Sequence, residues 1–180
     1  ADFVGDLREE DARALDAVAL PPSQVDKALT RFLEIYNTRL LDCTRPYDGV
    51  LEVLAHAQAA GAALGVITNK PQSPTDRLLH AFGMASTFQW VIGGDTAFAR
   101  KPDPASLQWV MEDAGCAPER TLFVGDSPID AETARSAGTA FCLAAYGFGQ
   151  AREATVLRPG EFQASTPREI TRAIDAMVAR

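Results

Sequence analysis

Val124-Gly125-Asp126-Ser127-Pro128-Ile129-Asp130 is the stretch on which the fold turns. An apolar run, Thr121-Leu122-Phe123-Val124, ends at a glycine and an aspartate, and Ser-Pro then opens a helical segment that reaches Ala137 before Gly138. Serine ahead of proline at the first helical position, and glycine just past the last, is the expected asymmetry of helix ends. The stretch therefore reads as strand, acidic turn, helix.

The same grammar repeats outward from it. Ala63-Leu64-Gly65-Val66-Ile67, Trp90-Val91-Ile92 and Ala140-Phe141-Cys142-Leu143 are further short apolar runs. Helical segments are predicted over 50–60, 74–82, 104–114 and 128–137, followed by Gly61, Gly83, Gly115 and Gly138. Proline opens three of them, each after Ser or Asp, and Thr166-Pro167-Arg168-Glu169 reads as a capping-box start for a last helix. Residues 146–163 read as the main loop region. Strands alternating with helices imply right-handed βαβ units and a parallel sheet covered on both faces. Ligands in such α/β folds bind outside the carboxyl ends of the strands, so the residues after each run matter most.

Residues 7–41 differ, being acidic, alanine-rich and helical in character. Val25, Leu29, Phe32, Leu33, Tyr36 and Leu40 recur at spacings of three and four, an amphipathic helix. Cys43-Thr44-Arg45-Pro46 breaks the pattern. The expected division is a helical appendage over 1–45 and an α/β unit over 46–180.

Composition bounds the function. A chain of 180 residues with 47% hydrophobic and 23% charged residues suits a globular domain with a real core. The net charge of −7 argues against nucleic acid, although a small anion can bind where a site concentrates positive charge. Three widely spaced cysteines without a Cys-x-x-Cys suggest neither a disulfide framework nor a zinc site, and point to a reduced, cytoplasmic setting. No apolar run approaches the roughly 20 residues of a membrane span. The opening Ala1-Asp2-Phe3-Val4-Gly5-Asp6 is neither a signal peptide nor an initiator methionine and reads as a chain entered partway.

Three strand ends carry candidate chemistry. Thr68-Asn69-Lys70-Pro71 offers a hydroxyl and an amide that can donate to an anion; it is equally a polar turn capping the next helix. In Arg100-Lys101-Pro102-Asp103-Pro104, Lys101 is a point charge suited to a phosphoryl group or a carboxylate, where an arbitrary lysine is more commonly a solvated one. Arg100 is expected on the surface. Asp126 and Asp130 supply hard oxygens of the kind magnesium takes, one or two carboxylates beside water and phosphate. Ser127 as helix cap and Asp130 as a charge favouring the helix dipole is the structural alternative, and it leaves Asp126 unexplained. His56, His80, Trp90 and Trp109 read as structural or surface residues.

The order of these signals is more specific than any one of them. Strand–Thr-Asn, then Lys-Pro-x-Pro, then strand–Gly-Asp-Ser-x-x-Asp resembles the second, third and fourth motifs of the haloacid dehalogenase (HAD) hydrolases, and among them the phosphoglycolate phosphatases. Asp48-Gly49-Val50, Val91-Ile92-Gly93-Gly94-Asp95 and Tyr146-Gly147 are also similar to that family. The resemblance covers about residues 30–180.

It implies a Rossmann-like core with flanking helices and a partial helical cap. It implies a magnesium-dependent phosphatase for a small phosphorylated metabolite such as 2-phosphoglycolate, working through a phospho-aspartyl intermediate. Thr68, Asn69 and Lys101 would bind the phosphoryl group. Asp126 would be a direct magnesium ligand, with Asp130 and Ser127 supporting the metal indirectly. The family's Asp-x-Asp nucleophile motif is absent from the sequence. Its strand lies mid-sheet in the family, between the strands ending at Ile67 and Val124, so its absence implies a gap of roughly 10 Å. The chain alone is expected to be inactive. A related HAD enzyme, such as a dehalogenase or sugar phosphomutase, and a non-catalytic phosphate-binding protein remain the alternatives.

Overall fold

The computed structural model describes residues 22–42, 44–149 and 154–179. In chain order the elements are α1 (Pro22–Arg39), α2 (Val50–Ala59), β1 (Gly65–Ile67), α3 (Gln72–Ala81), β2 (Trp90–Ile92), α4 (Ala105–Asp113), β3 (Leu122–Gly125), α5 (Pro128–Ala137), β4 (Ala140–Ala144), β5 (Phe162–Ala164) and α6 (Ile170–Val178). All strand pairings are parallel: β1 with β2, and β3 with β4 with β5. The α/β reading thus stands. The helical segment proposed over 7–21, and Cys43, lie outside the described residues.

β4 shows why short runs suffice. Its side chains alternate between two covered faces, as a strand's period of two requires. Phe141 and Leu143 enter one apolar cluster with Phe123 of β3, Leu107 and Met111 of α4, and Ala131, Ala134 and Ala137 of α5. Cys142 enters the other, with Val53 of α2, Ala164 of β5, and Ile170 and Ala173 of α6. Alanines on the inner face of α5 let that helix lie close to the sheet. On the outer surface, α2 and the α6 region are bridged by the exposed pairs His56–Asp175 (2.7 Å) and Arg168–Glu52 (2.5 Å). Such pairs contribute little.

β1 and β3 belong to separate sheets among the described residues, yet Ile67 of β1 packs on the cluster beneath β3. Val124, in β3, an edge strand among the described residues, is 40% exposed. No described helix is long and apolar enough to cross a membrane.

Four local expectations are corrected. α3 starts at Gln72 rather than Pro74, because Asp95 Oδ1 accepts the Gln72 N–H at 2.6 Å and so caps the helix from a distant turn. α4 starts at Ala105, where Asp103 Oδ1 accepts the first N–H at 2.8 Å. The capping box expected at Thr166 does not form: the Thr166 side chain makes no capping hydrogen bond, Glu169 Oε2 accepts from the preceding Ser165 N–H at 2.8 Å, and a 3₁₀ turn precedes α6. β5 falls in the segment read as loop; three residues with Gln163 in the middle are too short to show a strand's alternation.

Burial pushes the Cys142 thiol up to about 11. The unfolded thiol titrates near 8.5, so above that pH the unfolded state binds fewer protons than the folded one. Stability contributed by the neutral buried thiol is complete below that pH and falls as pH rises toward 11. Chemical denaturation at pH 7.5, 9 and 10.5 should show that loss, and Cys142→Ser should flatten part of it. Alkylation of Cys142 in the native protein at pH 8, as fast as in denaturant, would contradict the burial.

Candidate functional site

The candidates from the sequence stand in the loops after β1, β2 and β3, and hydrogen bonds link Asn69, Lys101, Asp130, Ser127 and Asp126. Thr68, Asn69, Lys101, Asp126 and Asp130 are all buried, at 8%, 8%, 6%, 8% and 1% exposure. So many buried polar groups require partners. The geometry supplies them.

α5 begins with a reciprocal cap. Ser127 Oγ accepts the Asp130 N–H at 3.3 Å, and Asp130 Oδ2 accepts from the Ser127 N–H at 3.1 Å, the Asp126 N–H at 3.1 Å and the Ser127 hydroxyl at 2.6 Å. The other Asp130 oxygen, Oδ1, accepts from the Lys101 ammonium at 2.7 Å, both side chains being almost wholly buried. Lys101 also lies 5.9 Å from the centre of the Phe123 ring. Asp130 is therefore both the cap of α5 and the counter-ion of Lys101.

Lys101 is placed by its backbone as well. The Asn69 amide donates to the Lys101 carbonyl at 3.0 Å and accepts from the Lys101 N–H at 2.9 Å. That amide locks the loop after β1 to the loop after β2. Thr68 sits just past β1, where its N–H extends the ladder to the Ile92 carbonyl at 3.0 Å and its hydroxyl accepts the Lys70 N–H at 3.1 Å. Arg100, expected on the surface, is half-buried and donates to the Gly94 carbonyl at 2.8 Å.

Asp126 follows β3 directly. One of its oxygens, Oδ2, accepts the Gly149 N–H at 2.9 Å. A Cβ on Gly147 would collide with the Asp126 carboxylate, and one on Gly125 with the Asp130 side chain. These glycines are needed for close approach; both stand in motifs quoted from the sequence, where that reason could not be read. Nearby, Tyr47 meets Tyr146 edge-on, ring centres 5.0 Å apart. Burial, and then the Asp126 charge, raise the Tyr47 hydroxyl; burial chiefly pushes Tyr146 up to about 12. The Tyr47 hydroxyl is buried and has no hydrogen-bond partner among the described residues.

For magnesium, the donor chemistry fits through Asp126, a buried hard carboxylate at a strand end. Asp130 is committed to Lys101 and the helix cap, so its support is indirect. The described residues contain no cluster of three or more His, Cys, Asp or Glu side chains able to hold a metal.

Known proteins are similar to this chain in sequence and fold. A phosphoglycolate phosphatase of Rhodospirillum rubrum is 41% identical over 122 residues, which is 68% of this chain and 51% of that protein. A phosphoglycolate phosphatase of Pseudomonas putida is 35% identical, covering 81% of this chain and 53% of its own length. The chain thus spans about half the length of the curated relatives it matches. Among solved structures, a "predicted phosphoglycolate phosphatase" from Haemophilus somnus superposes with a TM-score of 0.75 at 28% identity, covering 86% of this chain and 68% of that one. A HAD-superfamily hydrolase of subfamily IA from Geobacter sulfurreducens gives 0.60 at 30% identity, covering 71% and 60%. Residues 10–144 match the haloacid dehalogenase-like hydrolase family, and with more than half of its length so matched the chain belongs to that family.

Proposed function

We propose that this chain forms the phosphate- and metal-binding part of a magnesium-dependent phosphatase for a small phosphate monoester, 2-phosphoglycolate being the substrate its relatives' names suggest. The observation that carries the reading is the buried Lys101–Asp130 pair, with Asp126 and Thr68 around it at the strand ends. Phosphoryl transfer asks chiefly for positioning and charge stabilisation, and this cluster is preorganised for both.

Thr68 and the neighbouring backbone receive phosphoryl oxygens, and Asn69 acts partly through Lys101, whose backbone it holds. Lys101 stabilises negative charge on the transferring group. Asp126 holds magnesium directly; Asp130 and Ser127 keep the Asp126 turn in shape. When bound, the metal supplies the positive charge that offsets a dianionic ester. The open edges of β1 and β3 support a further strand between them, bearing the attacking carboxylate and coming from outside these 180 residues. Residues 1–45 are assigned to a remnant of a cap domain and 46–180 to the core, and the setting is cytoplasmic.

Two experiments test the reading. In a version extended by an Asp-x-Asp-Gly-Thr strand, chelation or Asp126→Ala should abolish hydrolysis of 2-phosphoglycolate and of 4-nitrophenyl phosphate. In the same version Lys101→Ala should lower turnover by about 10²–10³, the usual loss for one preorganised electrostatic contact, and Arg100→Ala by less than about tenfold. Full activity after chelation, or equal small effects at both basic positions, would refute these roles. Separately, the 180-residue chain without the extension should show no turnover. If it hydrolyses either ester robustly, the nucleophile lies among the residues present; if the extended version is also inert yet binds phosphate, the chain is a binding protein.

A further inference from the structure

Tyr47 carries a buried polar atom that the fold does not explain. Its hydroxyl is shut off from solvent and has no hydrogen-bond partner among the described residues. Buried polar groups in folded proteins are nearly always paired, and leaving one unpaired is costly. The hydroxyl therefore calls for a partner from outside those residues.

Its surroundings say which one. Tyr47 lies in the segment between α1 and α2, and its ring packs on the loop after β4. It meets Tyr146 edge-on, ring centres 5.0 Å apart, and its centre lies 6.0 Å from that of Phe148. Those two aromatics bracket Gly147, and a Cβ on Gly147 would fall on the Asp126 side chain. The next glycine, Gly149, donates its N–H to Asp126 Oδ2 at 2.9 Å. Tyr47 thus packs on the same stretch, 146–149, that seats Asp126. After burial, the Asp126 charge is what holds the Tyr47 proton in place.

We propose that Tyr47 is a positioning residue of the metal site, its hydroxyl pairing with a water of the hydration shell that magnesium keeps when held by Asp126. The proposal rests on the phosphatase reading above and adds a residue to it. Magnesium dehydrates reluctantly and retains several waters beside one or two carboxylates. Such waters are polarised by the cation and need acceptors where bulk solvent is excluded. A phenolic oxygen accepts a hydrogen bond while its O–H still donates one, so Tyr47 can serve a water and the acidic side of the site together. Tyr47 touches neither the cation nor phosphorus. It acts by fixing where a bound water stands, as outer hydrogen-bond partners of metal sites do.

Stability and metal affinity together separate this role from a merely structural one. Tyr47→Phe keeps the ring contacts and removes only the hydroxyl. In EDTA the variant should melt at the wild-type temperature or above it, since an unpaired hydroxyl has no hydrogen bond to lose. Magnesium is then titrated calorimetrically into the 180-residue chain and into the version extended by the Asp-x-Asp-Gly-Thr strand. Tyr47→Phe should bind it about 10-fold more weakly, the lower end of the loss usual for an outer partner, and Asp126→Ala should abolish binding. A Tyr47→Phe protein that melts clearly lower in EDTA, or that fails to fold, has lost a partner present without metal and overturns the proposal. Unchanged or tighter magnesium binding by Tyr47→Phe overturns it as well; both results leave the phosphatase reading standing. Wild-type protein that binds no magnesium in either version overturns that reading, and the proposal with it.

Discussion

The Lys101–Asp130 ion pair is the constraint around which the rest of the site is arranged. Both charges are almost fully removed from water, which costs several kcal/mol per ion unless geometry and further hydrogen bonds compensate. The compensation is visible: Asp130 accepts from one ammonium, two backbone N–H groups and one hydroxyl. Those donors belong to the turn between β3 and α5, so the same carboxylate that neutralises Lys101 also fixes the turn that aims Asp126. Replacing Asp130 with an apolar residue would therefore disturb three things at once: the cation, the helix cap and the neighbouring carboxylate.

Close backbone approach follows from that arrangement. Asp130 folds back over Gly125, and Asp126 is backed by Gly147 and Gly149 of the loop after β4. Any side chain at these glycines would displace a charged group rather than an apolar one. On the other side of the cleft, the Asn69 amide saturates the N–H and carbonyl of Lys101, so the lysine's direction is set from two strands' loops. Rigidity at the strand ends comes from hydrogen-bonded backbone, and the two apolar clusters below supply the platform.

What the sequence revealed, and what it hid, divides along a physical line. Local signals were legible: β-branched runs, Ser-Pro before α5 and glycine after it, and the Asp126-to-Asp130 spacing of one helical turn. These depend only on neighbours in the chain. Interactions between distant loops were not legible. Asp95 capping α3 and Asn69 clamping Lys101 join residues far apart, and nothing local distinguishes such an aspartate or asparagine from a solvated one. β5 was missed for a related reason, since its three residues are defined by the neighbouring strand β4 and not by their own pattern.

Charge balance carries the argument one step further. Among the described residues, the strand-end cluster holds one cation, Lys101, and two carboxylates, Asp126 and Asp130, a local excess of negative charge in a chain whose net charge is already −7. Alone, that cluster repels a phosphate dianion, and an attacking aspartate brought in by a further strand deepens the repulsion. A divalent cation on Asp126 would offset that charge, so the proposed metal would favour the approach of a doubly anionic ester as well as its reaction.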